Sequence, residues 1–209
     1  MKNIVAFLII LLATASISLA KVNKEFVILI QAGHGGNDNG AKAIDGSYEK
    51  DYTLAYAKEL EKIAKANNFR VVMCREDDSN FDLAKREELI KLHKADLLIS
   101  IHFGFNEDAT KRGFDCNVPT ETNITENRIL GKFLGAELYN VKGMKFNGVN
   151  RNLVNNLNTL SAPNTIVELG YLSNADDVAF IKKDENKQVI CEKLMNAIMR
   201  YKVQIETNK

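Results

Sequence analysis

Continuous apolar runs alternate along the chain with segments of mixed apolar and polar character. The runs Glu25–Ile30, Phe69–Cys74, Ala95–His102 and Thr165–Leu169 have no regular polar face. Such runs are typical of strands that are covered on both sides in a parallel sheet, so we predict a strand at each of them. A fifth strand is expected at Arg112–Val118, and an antiparallel direction remains open for it.

The segments between these strands repeat apolar residues three and four positions apart, which is the spacing of one helix face. Together, the strands and helices predict an α/β fold: a single domain with a mostly parallel, twisted central sheet flanked by helices. The predicted helices are Tyr48–Asn67, Asp82–Lys94 with Asp82 as N-cap, Asn123 to about Val141 with Asn123 and Glu126 as a capping pair, Asp176–Lys183 capped by Ser173 or Asn174, and Glu185–Tyr201.

The first twenty residues differ from the rest of the chain. Lys2 precedes an apolar run from Ile4 to about Ala13, and small residues follow as far as Ala20. This order is typical of a secretory signal peptide, and the run is shorter than the roughly 20 residues that span a bilayer. We therefore predict a signal peptide at residues 1–20 and a mature domain at residues 21–209, exported to the periplasm or cell envelope with no stable membrane anchor after cleavage. A retained anchor is the alternative.

Composition narrows the classes of function. The 209 residues are 45% hydrophobic and 26% charged, with a formal net charge of +1 and no basic block, so we expect no nucleic-acid partner. The chain has three cysteines, an odd number without C-x-x-C spacing, which excludes a disulfide scaffold. We predict Cys74, Cys116 and Cys191 to be small buried hydrophobic residues.

Side chains that can bind a metal lie at the ends of several predicted strands. His34 follows the first strand within the sequence Gly-His-Gly-Gly, His102 ends the third, Glu168 lies in the last, and Glu49 begins the first helix. Because the carboxyl ends of parallel strands meet at one edge of a sheet, we expect these groups to lie close together. Two imidazoles and a carboxylate are the ligands of a catalytic zinc, and a second carboxylate could take a proton from water.

Each of these residues also has a simpler explanation. A single histidine after a buried strand can be a hydrogen-bonded structural residue, and the glycines around His34 could form a phosphate-binding loop, although the lysine of a P-loop is absent. Glu49 could be a surface charge in the first turn of a helix. Glu168 could pair with Arg75 or Arg86. The coincidence of His34, His102 and Glu168 at separate strand ends favours a site.

Four segments, in chain order, resemble the zinc-dependent N-acetylmuramoyl-L-alanine amidases of the Amidase_3 type. The resemblance covers essentially the whole mature chain, and arginines at positions 75 and 86 also fit it. It implies that His34, Glu49 and His102 bind Zn²⁺ and that Glu168 is the catalytic carboxylate of a zinc amidase domain at residues 21–209. The four segments are Gly33–Gly36 continuing through Asp38 and Gly40-Ala41, Glu49–Asp51, Ala95-Asp96 through Ser100–His102, and Val167–Asn174.

The implied function is that of an exported peptidoglycan hydrolase. It would cleave the amide bond between N-acetylmuramic acid and L-alanine of the stem peptide by zinc-activated water, with peptidoglycan or muropeptides as its partners. Two alternatives remain open: a catalytically silent muropeptide-binding or regulatory protein, and a zinc peptidase that cuts within peptides.

The chain departs from the family pattern at two places. Gln31-Ala32 stands where the family commonly has Asp-Pro, and Phe103–Asn106 replaces a small residue followed by Asn or Asp. These changes affect the lining of the cleft rather than the implied ligands. The segment from Gly104 to Asn123 is too short for the long inhibitory helix of some relatives, so we expect an open cleft. An activator protein is allowed but not required.

Overall fold

The computed structural model describes residues 25–151 and 157–208; the predicted signal peptide lies outside them. Within these ranges, no helix combines the length and the apolar character needed to cross a bilayer. The strands are β1 (Val27–Ala32), β2 (Arg70–Met73), β3 (Leu97–Gly104), β4 (Phe114–Val118), β5 (Phe146–Arg151) and β6 (Asn164–Tyr171), and the helices are α1 (Glu49–Ala66), α2 (Lys85–His93), α3 (Ile124–Leu138), α4 (Ala175–Ile181) and α5 (Asp184–Thr207).

The strands form one sheet in the order β2-β1-β3-β6-β4-β5. β1 is parallel to β2 and β3, and β3 is parallel to β6, whereas β4 runs antiparallel to β6 and parallel to β5. The predicted α/β domain with a mostly parallel sheet is confirmed, and so is the antiparallel direction of β4. β5 was not predicted, because Asn147, Gly148 and Asn150 give this exposed edge strand a polar, turn-like sequence.

Two of the predicted helix caps are wrong. α2 begins at Lys85 with no side-chain cap, and Asp82 instead closes a turn by accepting the Ala84 N–H at 2.9 Å. Asn123 takes a left-handed conformation (φ 46°) and donates its side-chain amide to the Leu160 carbonyl at 3.2 Å, so it does not cap α3. The cap of α4 is confirmed, since the Asn174 side chain accepts the Asp177 N–H at 3.0 Å. Asp82 thus satisfies a local turn, whereas a tertiary contact with Leu160 determines how Asn123 is used.

The two faces of the sheet are covered unequally. Alternate residues of β1, β3 and β6, such as Ile30, Ile101 and Val167, enter the larger core beneath α1, α3 and α5. The residues between them face a smaller cluster, in which Leu29 and Leu98 pack against Ile90 of α2 together with Leu157, Leu160 and Ala162. The smaller face therefore has room at its carboxyl end for polar groups.

The three cysteines are free: Cys116 and Cys191 are buried, and Cys74 is half-buried.

Asp177 of α4 connects three parts of the chain near the carboxyl edge of the sheet. It is fully buried, and its Oδ2 accepts the backbone N–H groups of Gly113 at 2.7 Å and Tyr171 at 2.9 Å. Its Oδ1 lies 3.3 Å from Nε of Arg112. The carboxylate thus fixes the loop before β4 and the end of β6 to α4.

We expect Asp177→Ala to lower the free energy of unfolding by about 2–4 kcal/mol, because two buried N–H donors lose their acceptor. Asp177→Asn keeps an acceptor oxygen and should cost less. Denaturant unfolding followed by circular dichroism measures both variants. Equal stability of the alanine variant and the unmodified protein would contradict this account.

Candidate metal centre

His34, Glu49 and His102 meet at the carboxyl edge of the sheet, as predicted. His34 lies two residues beyond β1, Glu49 is the first residue of α1, and His102 lies near the end of β3. One ligand atom from each residue can be chosen so that all three lie within 4.8 Å of one another. The two imidazole rings are 5.1 Å apart and nearly perpendicular, so both can present a nitrogen to one point.

The Glu49 carboxylate lies between the two imidazoles and is held from both sides. Its Oε1 is 3.1 Å from Nδ1 of His102 and accepts the Phe103 N–H at 3.0 Å. Its Oε2 is 3.1 Å from Nε2 of His34 and accepts the Ala41 N–H at 3.0 Å. Burial alone would raise the pKa of Glu49, but these four contacts hold it well below its usual range.

The same carboxylate sets the charge of His34. Hydrogen bonding to Glu49, partly opposed by burial, raises the pKa of His34 to about 9. The pocket formed by the three side chains is therefore built to hold positive charge beside an ionised carboxylate. A divalent cation would satisfy the same requirement and would take the place of the proton on the ring nitrogen.

Glycines allow the backbone to approach these side chains closely. A Cβ atom at Gly33 would lie 2.3 Å from the His102 ring, and one at Gly40 would lie 2.6 Å from the His34 ring and 2.8 Å from Glu49 Oε2. Gly40 also has a φ of 64°, which other residues rarely adopt. Gly33 and Gly40 are thus required by the close packing of the His34, Glu49 and His102 side chains.

Thr53 and Arg75 fix the backbone that carries His34. The Gly33 carbonyl accepts the Thr53 hydroxyl at 2.6 Å and Nη2 of Arg75 at 3.0 Å, and the Ala32 carbonyl accepts Nε of Arg75 at 3.2 Å. Arg75 is buried among these carbonyl oxygens. It does not serve as the ionic partner of Glu168 that the sequence left open.

Asp38 orients the His34 ring. Its Oδ2 lies 2.8 Å from Nδ1 of His34, and its Oδ1 accepts the Gly40 N–H at 3.0 Å. This contact leaves Nε2 of His34 for the shared point near Glu49. Metal-bound histidines usually make such a bond from their other ring nitrogen. The donor set and its support therefore fit a metal ion, and this role of Asp38 was not assigned from the sequence.

Glu168 lies beside this cluster on the neighbouring strand. It is the register partner of His102 in the β3–β6 pair and of Asp115 in the β6–β4 pair. Burial raises the pKa of Glu168, and the nearby Asp115 carboxylate raises it further. Glu168 is half-buried, so it retains access to the edge of the sheet. A carboxylate with a raised pKa at this place can exchange a proton with a molecule bound next to His34, Glu49 and His102.

Asp115 itself is buried and held by three hydrogen bonds. It accepts the Tyr171 hydroxyl at 2.9 Å and the side-chain amides of Asn147 at 3.0 Å and Asn150 at 3.2 Å. The two asparagines belong to the edge strand β5. The pairing of Asp115 with Glu168 was not predicted, because the antiparallel register of β4 on β6 brings them together.

The chain between Phe105 and Asn123 forms loops and β4 and contains no helix, and each of its residues is described. No helix from this segment covers the edge of the sheet where the cluster lies. The expectation that this segment carries no long helix is confirmed.

The sequence profile of the Amidase_3 family, described as N-acetylmuramoyl-L-alanine amidase, matches residues 28–200. This range includes every strand except the first residue of β1, together with the whole cluster described above. The chain belongs to the Amidase_3 family.

Proteins of similar sequence agree with this family assignment. A protein of Staphylococcus aureus named "Probable cell wall amidase LytH" is 30% identical over 177 residues, which are 83% of this chain and 57% of the relative. A Buchnera aphidicola relative is 35% identical over 114 residues, 54% of this chain and 47% of the relative. The chain thus spans about half the length of these relatives.

Solved structures of N-acetylmuramoyl-L-alanine amidases have the same fold. The N-acetylmuramoyl-L-alanine amidase from Clostridium difficile 630 aligns with a TM-score of 0.79 and 25% identity, covering 86% of this chain and 97% of that one. The catalytic domain of CwlV from Bacillus (Paenibacillus) polymyxa var. colistinus aligns with a TM-score of 0.76 and 26% identity, covering 84% and 97%. The family fold therefore accounts for nearly the full length of these domains.

We expect Asp38→Ala to weaken Zn²⁺ binding by about 10- to 100-fold, because the His34 ring loses the bond that orients it. Asp38→Asn keeps an acceptor and should lose less. Competition with a chromogenic chelator measures the affinity. Asp184→Asn, at a 91% exposed side chain on α5, is the matched control and should bind Zn²⁺ like the unmodified protein. Unchanged affinity in Asp38→Ala would rule out this role.

Proposed function

We propose that this protein is an exported, zinc-dependent N-acetylmuramoyl-L-alanine amidase. It hydrolyses the amide bond between the lactyl group of N-acetylmuramic acid and L-alanine of the stem peptide, with peptidoglycan or muropeptides as substrate. The observation that carries the proposal is the convergence of His34, Glu49 and His102 on one point, with Glu168 on the adjacent strand, in a chain of the Amidase_3 family.

In this proposal, His34, Glu49 and His102 hold the metal. A bound zinc ion would lower the pKa of water and polarise the carbonyl of the scissile amide. Glu168 accepts the proton of the attacking water and returns it to the departing nitrogen, which leaves as the amine of L-alanine.

The environments of the two carboxylates support this division of roles. Glu49 is buried, both of its oxygens are held by N–H groups, and its pKa is lowered, so it stays ionised and fixed as a ligand requires. Burial and the nearby Asp115 carboxylate raise the pKa of Glu168, which suits a group that must gain and lose a proton during the reaction. Two neighbouring carboxylates whose pKa values are pushed apart are the usual sign of separate roles.

Export is part of the proposal because the substrate lies outside the cytoplasmic membrane. Its support is the predicted signal peptide at residues 1–20, which leaves a catalytic domain at residues 21–209 in the periplasm or cell envelope. The name of the Staphylococcus aureus relative, a cell wall amidase, agrees with this location. The CwlD amidase of Clostridioides difficile was solved in complex with the GerS lipoprotein. The chemistry proposed here uses only groups of this chain and its metal, so an activator is allowed but not required.

The decisive variant is Glu168→Gln, which keeps the shape of the side chain but cannot accept a proton. We expect it to bind Zn²⁺ like the unmodified protein and to release stem peptides from purified sacculi at least about 100-fold more slowly. Released peptides are quantified by liquid chromatography, and mass spectrometry identifies their amino termini. Glu126→Gln, at a half-buried glutamate in the first turn of α3, is the matched control.

Other outcomes would favour the other hypotheses. Release by Glu168→Gln at the normal rate would remove Glu168 from the mechanism. Absence of turnover by the zinc-loaded protein, together with binding of muropeptides, would indicate the catalytically silent alternative. Products that lack an intact L-alanine amino terminus would indicate a peptidase.

A further inference from the structure

A groove of about 400 Å³ lies between α3 and the edge strand β5. It has an apolar floor and a basic rim, and the described residues that line it are Val118, Ile129, Val149, Arg128, Lys132 and Arg151. Val118 ends β4, and Arg151 ends β5, which is parallel to β4. Because β4 runs antiparallel to β6, both of these ends lie at the edge of the sheet opposite to His34, Glu49 and His102.

The three cations of the rim stand on two sides of the groove. Arg128 and Lys132 are four positions apart on α3, so they lie on the same helix face. Arg151 follows Val149 by two positions on β5, so both project from one face of the sheet. α3 approaches this face closely because a glycine occupies position 131, where a Cβ atom would lie 2.9 Å from Val149 Cγ1. The packing of α3 on β5 therefore brings cations from both elements to one groove.

The charge of the rim is not offset by acidic side chains. Arg128, Lys132 and Arg151 are exposed, and among the described residues no aspartate or glutamate lines the groove or forms an ion pair with them. Positions 1–24, 152–156 and 209 carry no acidic residue either. The whole chain has a formal net charge of only +1, so the groove is a local excess of positive charge. Such an excess attracts an anionic ligand.

The apolar floor distinguishes between classes of anionic ligand. A phosphate polymer has little apolar surface to place against valine and isoleucine, and a bilayer is contacted by protruding apolar groups rather than by the floor of a groove. A peptide with small apolar side chains and a free carboxylate suits both the floor and the rim, because a guanidinium binds a carboxylate through two parallel hydrogen bonds. The stem peptides of peptidoglycan, which begin with L-alanine and end in a carboxylate, have this chemistry.

We propose that the groove binds a carboxylate-bearing stem peptide of the polymeric substrate, at a place separate from the bond that is cut. This inference rests on the proposed function and adds a second contact with the polymer to it. β5 lies three strands from β3, which corresponds to about 14 Å at the usual strand spacing, and the groove lies at the opposite edge of the sheet. The stem peptide in the groove is therefore a different one from the stem peptide at the metal centre. Two simultaneous contacts would hold the protein on the polymer more tightly than either contact alone.

The test measures binding of the zinc-loaded Glu168→Gln protein to purified sacculi by sedimentation. In this parent protein, Arg128→Gln, Lys132→Gln and Arg151→Gln are combined to give a three-residue variant. We expect the variant to bind sacculi about tenfold more weakly at low salt, because three modest exposed ion pairs are lost together. The difference should shrink at about 0.5 M salt, which screens exposed charges.

A matched control removes the same total charge elsewhere. Lys58→Gln, Lys94→Gln and Lys183→Gln are combined, because these exposed lysines lie outside the groove. The control variant should bind sacculi like the parent protein. Circular dichroism checks that both variants are folded, and Lys132→Glu alone, which reverses one charge of the rim, gives a second measurement of the same effect.

Modified sacculi identify the anionic group. Coupling the carboxylates to an amine converts them to neutral amides, and the three-residue variant and the parent should then bind equally. Removing covalently attached phosphate polymers should leave the difference between the two proteins unchanged. A difference that persists on amidated sacculi, or that disappears with the phosphate polymers, would overturn the carboxylate site. A difference seen only with vesicles of phosphatidylglycerol would overturn it in favour of a membrane surface.

These outcomes separate the groove from the proposed function. Equal binding of sacculi by the three-residue variant and the control, together with release of stem peptides by the unmodified protein, would overturn the groove and leave the amidase function intact. Weaker binding by the three-residue variant, without any release of stem peptides by the zinc-loaded unmodified protein, would support the groove and overturn the proposed function.

Discussion

The position of a single carboxylate organises this protein. Glu49 can face His34 and His102 only because α1 begins at the same edge where β1 and β3 end. Two backbone N–H groups, from chain segments on opposite sides, hold its two oxygens. Displacing α1 by an ångström would break both contacts and separate the imidazoles from their common neighbour. The packing of α1 against the sheet is therefore a condition for the chemistry as well as for stability.

The unequal covering of the sheet explains where the chemistry can occur. One face is closed by α1, α3 and α5, and its residues are apolar almost to the ends of the strands. The other face carries α2 and a small apolar cluster, so polar side chains of the same strands remain partly accessible near their carboxyl ends. His102 and Glu168 project from this second face. A buried polar layer formed by Gln31 and Ser100 lies between them and the apolar cluster.

Much of the fold and the three grouped side chains could be predicted from the sequence, because buried parallel strands are apolar throughout and their carboxyl ends meet at one edge. Features that depend on tertiary contacts could not be predicted from the sequence. β5 has the composition of a turn and is a strand only because β4 lies beside it, and Asn123 was drawn away from α3 by the Leu160 carbonyl. Asp115 and Glu168 are neighbours because of the antiparallel register between β4 and β6, which no local sequence pattern specifies.

The hydrogen bonds from β5 to Asp115 have a mechanical consequence. Asn147 and Asn150 belong to the outermost strand, yet the oxygens they hold lie on the residue paired with Glu168. A one-residue shift in the register of β5 would turn both amides to the opposite face of the sheet. Asp115 would then lose its hydrogen bonds to Asn147 and Asn150. Fraying of β5 would therefore act two strands inward, as a change in the electric field around Glu168.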